Sequence, residues 1–249
     1  KAGSVWPFGD RLEGDYLGRT RVSRGPGLKA QGKFISLEGG EGAGKTTQIK
    51  MLADTLKAAG FDPVITREPG GAPGAEMIRS LLVEGDIDRW QPMTEALLHF
   101  AARLEHVRET IAPALEEGQW VVSDRFSDST IAYQGYGHDL GQETMARLHE
   151  LVLGGFQTDL TLILDIPVEA GLARAGKREA GKIEAGESAG EDRYERMDLD
   201  FHRRLRDGFL DIARRNSERC LIVDADQAPD QVHTLIREIV QNRFGVDLT

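Results

Sequence analysis

Phe34-Ile35-Ser36-Leu37-Glu38-Gly39-Gly40-Glu41-Gly42-Ala43-Gly44-Lys45-Thr46-Thr47 is the stretch whose reading decides the fold. Its opening residues form a short apolar run suited to a buried strand, and Met51, Leu52 and Leu56 continue beyond it at helical spacing. Between them Gly39 to Thr46 satisfies G-x-x-x-x-G-K-[ST], with Gly40, Glu41, Gly42 and Ala43 as the variable positions. Glycines let such a turn aim its backbone N–H groups at phosphates, and the helix N-terminus adds partial positive charge. Lys45 is then expected to reach the β- and γ-phosphates of a nucleoside triphosphate, and the Thr46 hydroxyl to ligate Mg²⁺.

Outward from this loop, further apolar runs recur between helical patterns: Pro63-Val64-Ile65-Thr66, Trp120-Val121-Val122-Ser123, Leu160-Thr161-Leu162-Ile163-Leu164 and Leu221-Ile222-Val223. With the first run these predict an α/β fold, a five-stranded parallel sheet flanked by helices on both faces. Ligands of such sheets bind beyond the carboxyl ends of the strands, so the residues after each run carry the chemistry. Residues 1–32 lack a sustained period and read as an N-terminal extension, leaving residues 33–249 as one catalytic domain. Residues 173–195, rich in Gly, Glu, Lys and Arg, read as a mobile loop projecting from a helix marked by Met197, Phe201, Leu205, Phe209 and Ile212.

The chain has 31 basic and 41 acidic residues, a net charge of -10 that opposes association with a nucleic-acid backbone. An anionic ligand must therefore be held by local cations. No stretch is apolar enough to span a membrane, and the lone Cys220 sits in an apolar run, which fits a reducing cytoplasm.

Asp124-Arg125-Phe126-Ser127-Asp128-Ser129-Thr130 follows the third run and puts a carboxylate, a guanidinium and hydroxyls at the rim of the phosphate site. An Arg there can hold an acceptor phosphate bidentately. Arg67-Glu68-Pro69-Gly70-Gly71, after the second run, turns a charged pair toward the same rim. In the helix predicted over residues 94–115, Leu97, Phe100, Ala101, Leu104, Ile111 and Leu115 form the expected core stripe. His99 and Arg103 lie off it as neighbours on one face, where a flat ring can stack on a planar base and the Arg can donate to a carbonyl oxygen. Asp124 is preferred over Asp165 as the metal-linked carboxylate.

These residues resemble the thymidylate kinases of the bacterial type over nearly the whole span from Lys33 onward. The resemblance rests on Glu38-Gly39-Gly40-Glu41-Gly42-Ala43-Gly44-Lys45-Thr46-Thr47, Thr66-Arg67-Glu68-Pro69-Gly70-Gly71, Ile78-Arg79-Ser80-Leu81-Leu82, and Asp124-Arg125-Phe126 through Ala132-Tyr133-Gln134-Gly135. It implies a P-loop fold with a mobile lid at residues 173–195, ATP bound along residues 39–47, Mg²⁺, and transfer of a phosphoryl group to dTMP by a homodimer. It further implies that Arg125 holds the monophosphate, that Arg79 and Arg103 reach the thymine side, that Thr130 and Gln134 bond the base, and that Glu41 lies near Mg²⁺ and the sugar or phosphate. Where the family carries Phe four residues before the helix Arg, this chain has His99. His99 is therefore expected to stack on thymine, with Phe100 as the alternative if the helix is rotated. Arg174, Arg178 and Arg193 are candidates for the lid cation, and Arg193 in Glu191-Asp192-Arg193-Tyr194-Glu195 resembles the family's lid motif best. A deoxynucleoside kinase using Glu68 as base, or a nucleotide-dependent switch, would share the loop but not the run of acceptor motifs.

Overall fold

The computed structural model describes residues 32–184 and 193–248. Apart from Gly32, the expected extension lies outside the described residues, as do residues 185–192 of the charged segment. Strand β1 (Phe34–Glu38) leads through the phosphate loop into α1 (Lys45–Ala58) and β2 (Val64–Arg67). Helices α2 (Pro73–Val83) and α3 (Pro92–His106) follow, and α3 runs on through a π-helical turn, Val107–Ile111, into α4 (Ala112–Glu116). Next come β3 (Val121–Asp124), α5 (Ser127–Thr130), a second π-helical turn, Ile131–Gly137, and α6 (Gln142–Leu153). The rest comprises β4 (Leu160–Asp165), α7 (Val168–Glu184), α8 (Leu199–Arg215), β5 (Cys220–Asp224) and α9 (Pro229–Phe244).

The five strands are all parallel in the order β2-β3-β1-β4-β5. All five residues of β1 are buried, because this strand is paired on both sides and covered on both faces; that is why it reads as a continuous run rather than an alternation. On one face Ile35, Leu37, Val122 and Leu162 pack against Ile49, Leu52 and Leu56 of α1 and Val232, Ile236 and Val240 of α9. On the other, Ile163 meets Phe201, Leu205, Phe209 and Ile212 of α8, while Phe34 and Val121 meet Val107, Ile111 and Leu153. The register pairs Leu37 with Asp124 and with Leu162, so β1, β3 and β4 end on one edge of the sheet.

Two expectations need correction here. The segment after residue 173 is helical as far as Glu184, not a loop. Its Ala, Glu, Lys and Arg residues favour helix, and a helix lying on solvent needs no broad apolar stripe. The predicted stripe on α3 is also rotated: Leu97 is 50% exposed and Ala101 is exposed, whereas Glu95, Ala96, Arg103 and His106 are buried. The π-helical turn that follows has a local cause in Pro113, which has no N–H for the carbonyl of Glu109, so the hydrogen-bond register widens there.

Candidate active site

The phosphate loop crosses the sheet edge in a conformation only glycine tolerates at two points. Gly39 has φ +131, and a Cβ there would lie 2.4 Å from the carbonyl oxygen of Leu164; at Gly42, with φ +69, a Cβ would lie 1.9 Å from that of Gly171. Lys45 Nζ donates to the carbonyls of Gly39 (3.2 Å) and Gly40 (3.0 Å). Thr46 Oγ1 donates to Asp124 Oδ2 at 3.2 Å, bringing the expected metal-side hydroxyl and carboxylate together across the strand ends.

Arg125 comes to the same place from β3. Its backbone is left-handed (φ 71), at a cost on the order of 1 kcal/mol or more for a residue with a Cβ. The turn is held by main-chain and buried side-chain bonds: Arg125 N to the Leu37 carbonyl, Ser123 Oγ to the Arg125 carbonyl, and Phe126 N and Ser129 Oγ to the two oxygens of Glu38. Burial and the nearby Asp128 raise the Glu38 carboxyl well above its usual range. So oriented, Arg125 Nη1 donates to the Gly39 carbonyl at 3.0 Å, and Nη2 donates to Glu41 Oε1 and Tyr133 Oη at 2.9 Å each. Burial would raise Glu41, but Arg125 and then Lys45 outweigh it and bring the carboxyl down to about 2. Two cations thus share one carbonyl. Burial and the Arg125 guanidinium lower the pKa of Lys45, and an anion placed between the two would relieve that repulsion.

The loop and Arg125 form one end of a cleft of about 600 Å³, also lined by Glu68, Arg79, His99, Arg103, Thr130 and Gln134. Arg79 Nη1 donates to the Pro69 carbonyl at 2.6 Å. Glu95, His99 and Arg103 recur at intervals of four on α3 and share its inward face. Arg103 is held by three acceptors: Nε donates to Glu68 Oε2 (2.7 Å), and Nη2 to the Phe126 carbonyl (3.1 Å) and Thr130 Oγ1 (2.9 Å). Gln134 Nε2 donates to Glu95 Oε1 at 2.8 Å, and because a carboxylate only accepts, this fixes which way the amide faces. Among the described residues, Arg103 Nη1 and Gln134 Oε1 are buried without partners. Both residues line the cleft, so an unpaired donor and an unpaired acceptor lie beside it.

His99 lines the cleft and Phe100 does not: Phe100 is 1% exposed and packs with Ala96 and Met145. The alternative of a rotated helix with Phe100 on the base is therefore discarded. Burial drives the His99 imidazole down to about 4 although Glu95 pulls the other way, so its ring is uncharged at neutral pH.

Arg193 is not where it was expected. It is 0% exposed, donates to the carbonyls of Leu82, Asp86 and Ile87, and pairs with Glu95 at 2.5 Å. It fastens its segment to the loop between α2 and α3 and does not face the cleft. Arg178, exposed and paired with Glu195, lines the cleft instead, while Arg174 bonds the Ala225 carbonyl and Asp226. Asp165 is engaged by Nε and Nη2 of Arg206, consistent with a structural role. Sequence reading did not single out Tyr133, which bridges Arg125 and Glu41, or Tyr194, whose hydroxyl meets His99 Nε2 at 2.9 Å. It also passed over Glu95, although the spacing of Glu95, His99 and Arg103 carried that signal.

Comparison with known proteins agrees with this geometry. The family model described as thymidylate kinase matches residues 37–236. A thymidylate kinase of Caulobacter vibrioides is 54% identical over 216 residues, 87% of this chain and 99% of that protein. One from Geobacter sulfurreducens is 46% identical over 212 residues, 85% of this chain and 98% of that protein. The crystal structure of thymidylate kinase from Ehrlichia chaffeensis superposes with a TM-score of 0.67 at 33% identity, covering 84% of this chain and 98% of the other. Since the match runs from the first strand through the acceptor wall to the last helix, the chain belongs to the thymidylate kinase family.

Proposed function

We propose that the chain transfers the γ-phosphoryl group of ATP to dTMP, giving dTDP and ADP, with the loop of residues 39–47 on the donor and Arg125 on the acceptor phosphate. The observation that carries this reading is the convergence of Lys45 and Arg125 on the single carbonyl of Gly39, at 3.2 and 3.0 Å. Two phosphates held by these cations would face each other across that point, in reach for in-line transfer. The attacking oxygen of a monophosphate already bears charge, so no strong base is required. Lys45, Arg125 and a cation from the lid side supply the charge stabilisation.

Thr46 and Asp124, oxygen donors 3.2 Å apart beside Lys45, suit a hard divalent cation. Mg²⁺ held there would neutralise charge on the β- and γ-phosphates. Glu41, ionised and bound to Arg125 and Tyr133, keeps Arg125 oriented toward the acceptor. Arg103 Nη1 as donor and Gln134 Oε1 as acceptor complement O4 and N3–H of thymine and mismatch the amino group and bare N3 of cytosine. His99 stacks on the ring, and Arg79 and Thr130 complete the acceptor pocket. We assign the lid to α7 and the turn from Arg193, with Arg178 as its cation. Closure there excludes water, so hydrolysis without acceptor is slow.

We further assign a homodimer. Met77 and Leu81 of α2, Met93 and Leu97 of α3 and Leu151 of α6 expose apolar surface on helices where α2 packs on α3 and α3 on α6. A second copy of the chain is the occupant that fits both this surface and the family. A free, buried Cys220 suits a reducing cytoplasm. Measuring ADP release with dTMP, dUMP, dCMP and thymidine as acceptors tests the function. A strong requirement for dTMP is expected, and preference for thymidine, or acceptor-independent hydrolysis, would overturn the assignment.

A further inference from the structure

Thr66-Arg67-Glu68-Pro69-Gly70-Gly71 contributes only part of its residues to the cleft, and three of the six converge on a side chain outside it. That side chain is His106, which is 0% exposed and does not line the cleft. We propose that His106 is a positioning residue for acceptor selection: through Glu68 it aims the Arg103 guanidinium, so that Nη1 is presented to the base.

The chain of contacts is short. His106 Nδ1 lies 2.9 Å from Glu68 Oε1, and the other oxygen of that carboxylate, Oε2, accepts from Arg103 Nε at 2.7 Å. A carboxylate only accepts, so Nδ1 carries the hydrogen toward Glu68, and Nε2 is hydrogen-bonded with the Thr66 hydroxyl at 2.6 Å. The imidazole is locked at both nitrogens. Gly71 closes over it: a Cβ there would lie 2.3 Å from His106 Nε2 and 2.4 Å from Thr66 Oγ1, and the Gly71 carbonyl is held by Thr110 Oγ1 at 2.7 Å. Thr66, Glu68 and Gly71 thus build a cradle for one ring.

The consequence reaches the cleft because a guanidinium is planar. With Nε fixed on Glu68 and Nη2 fixed on Phe126 and Thr130, the direction of Nη1 follows. If the His106 donor is removed, Glu68 Oε1 becomes a buried acceptor without a partner. The carboxylate can then turn to recruit Nη2, the nitrogen on the same side of the guanidinium as the Nε hydrogen, drawing it from the Phe126 carbonyl and Thr130 and swinging the planar group. Nη1 would then be turned off the direction in which it is offered to O4 of thymine.

This inference rests on Arg103 reading the base, so the experiment separates the two claims. kcat and KM are measured for dTMP and dCMP, and KM for ATP, on wild type, Arg103→Leu, His106→Leu, His106→Asn and Thr66→Val, with a thermal melt on each. His106→Leu is expected to reduce the preference for dTMP over dCMP about tenfold or more, through KM for dTMP, while KM for ATP stays within about twofold. His106→Asn, which can place an amide donor near the Nδ1 position, is expected to recover most of that preference, and Thr66→Val to lose about threefold. A residue that only fills the core would lower the melting temperature and leave the preference unchanged. If Arg103→Leu abolishes the preference and His106→Leu leaves it intact, the proposal is overturned and the acceptor reading stands. If Arg103→Leu keeps the preference, the acceptor reading itself falls. Should His106→Leu fail to fold, an unchanged preference in Thr66→Val overturns the proposal.

Discussion

At the scale of single residues, the two lid arginines have opposite fates. Arg193 is enclosed by three carbonyls and Glu95, so Arg193→Ala strands a buried carboxylate and is expected to cost stability on the order of 3 kcal/mol, read as a fall in the denaturant midpoint. Arg178 is exposed at the cleft, so Arg178→Ala is expected to leave that midpoint in place and lower kcat by about 10³. The reverse pattern would restore Arg193 to the lid role. Nothing in the order Asp192-Arg193-Tyr194-Glu195 tells a phosphate-binding Arg from one that ties a segment down, because both present the same cation to oxygen acceptors. His99 gives a second test. As a stacking ring it is replaceable by Phe with dTMP KM changed less than about threefold, whereas His99→Ala is expected to raise it about tenfold. Its depressed pKa also has a stability signature, because the folded state binds fewer protons than the unfolded one between the ordinary histidine value and about 4. The contribution is present above that range and lost as pH falls through it. The melting temperature of wild type should therefore fall relative to that of His99→Phe as pH is lowered from about 6.5 toward 4; curves that stay parallel would contradict a neutral ring in the folded state.

Among the elements, the strands were the most legible. Each of the central ones is buried on both faces, so its apolar run has one reading, and residues after β1, β2 and β3 are among those that line the cleft. Helix α3 was legible in place but not in rotation. Its inward face carries Glu95, Arg103 and His106, committed to buried bonds, and His99, bonded to Tyr194 at the cleft, while Leu97 faces out. Periodicity reports where apolar residues recur, and here part of that recurrence belongs to a surface rather than to the core. The assigned homodimer makes this testable. Leu97→Glu and Leu151→Glu should shift sedimentation from dimer to monomer with the melting transition still cooperative, and an unaltered dimer would place the interface elsewhere. Helix α7 escaped notice for the complementary reason: between residues 173 and 181 Ala175 alone is buried, so this part has helix propensity without a stripe.

Taken as a whole, an acidic molecule gathers its phosphate-binding power into one cleft. The net charge of -10 gives no general attraction for nucleotides, and Lys45, Arg67, Arg79, Arg103, Arg125 and Arg178 line a single cavity. The parallel sheet makes this possible by ending β1 and β3 side by side, and the left-handed turn at Arg125 aims its side chain back toward the loop. The donor half was readable because its spacing is contiguous in sequence. The acceptor half depends on contacts between distant segments: Glu38 with Phe126 and Ser129, Glu68 with Arg103, Glu95 with Gln134. No local spacing encodes those.

The claim at the centre is that Arg125 holds the acceptor phosphate opposite Lys45. Calorimetric titration of dTMP and of thymidine into wild type and Arg125→Leu tests it most directly. Wild type is expected to bind dTMP about a hundredfold more tightly than thymidine, and Arg125→Leu to lose most of that difference while its thymidine affinity changes less than about threefold. An Arg125→Leu protein that still favours dTMP by the wild-type margin would contradict the account.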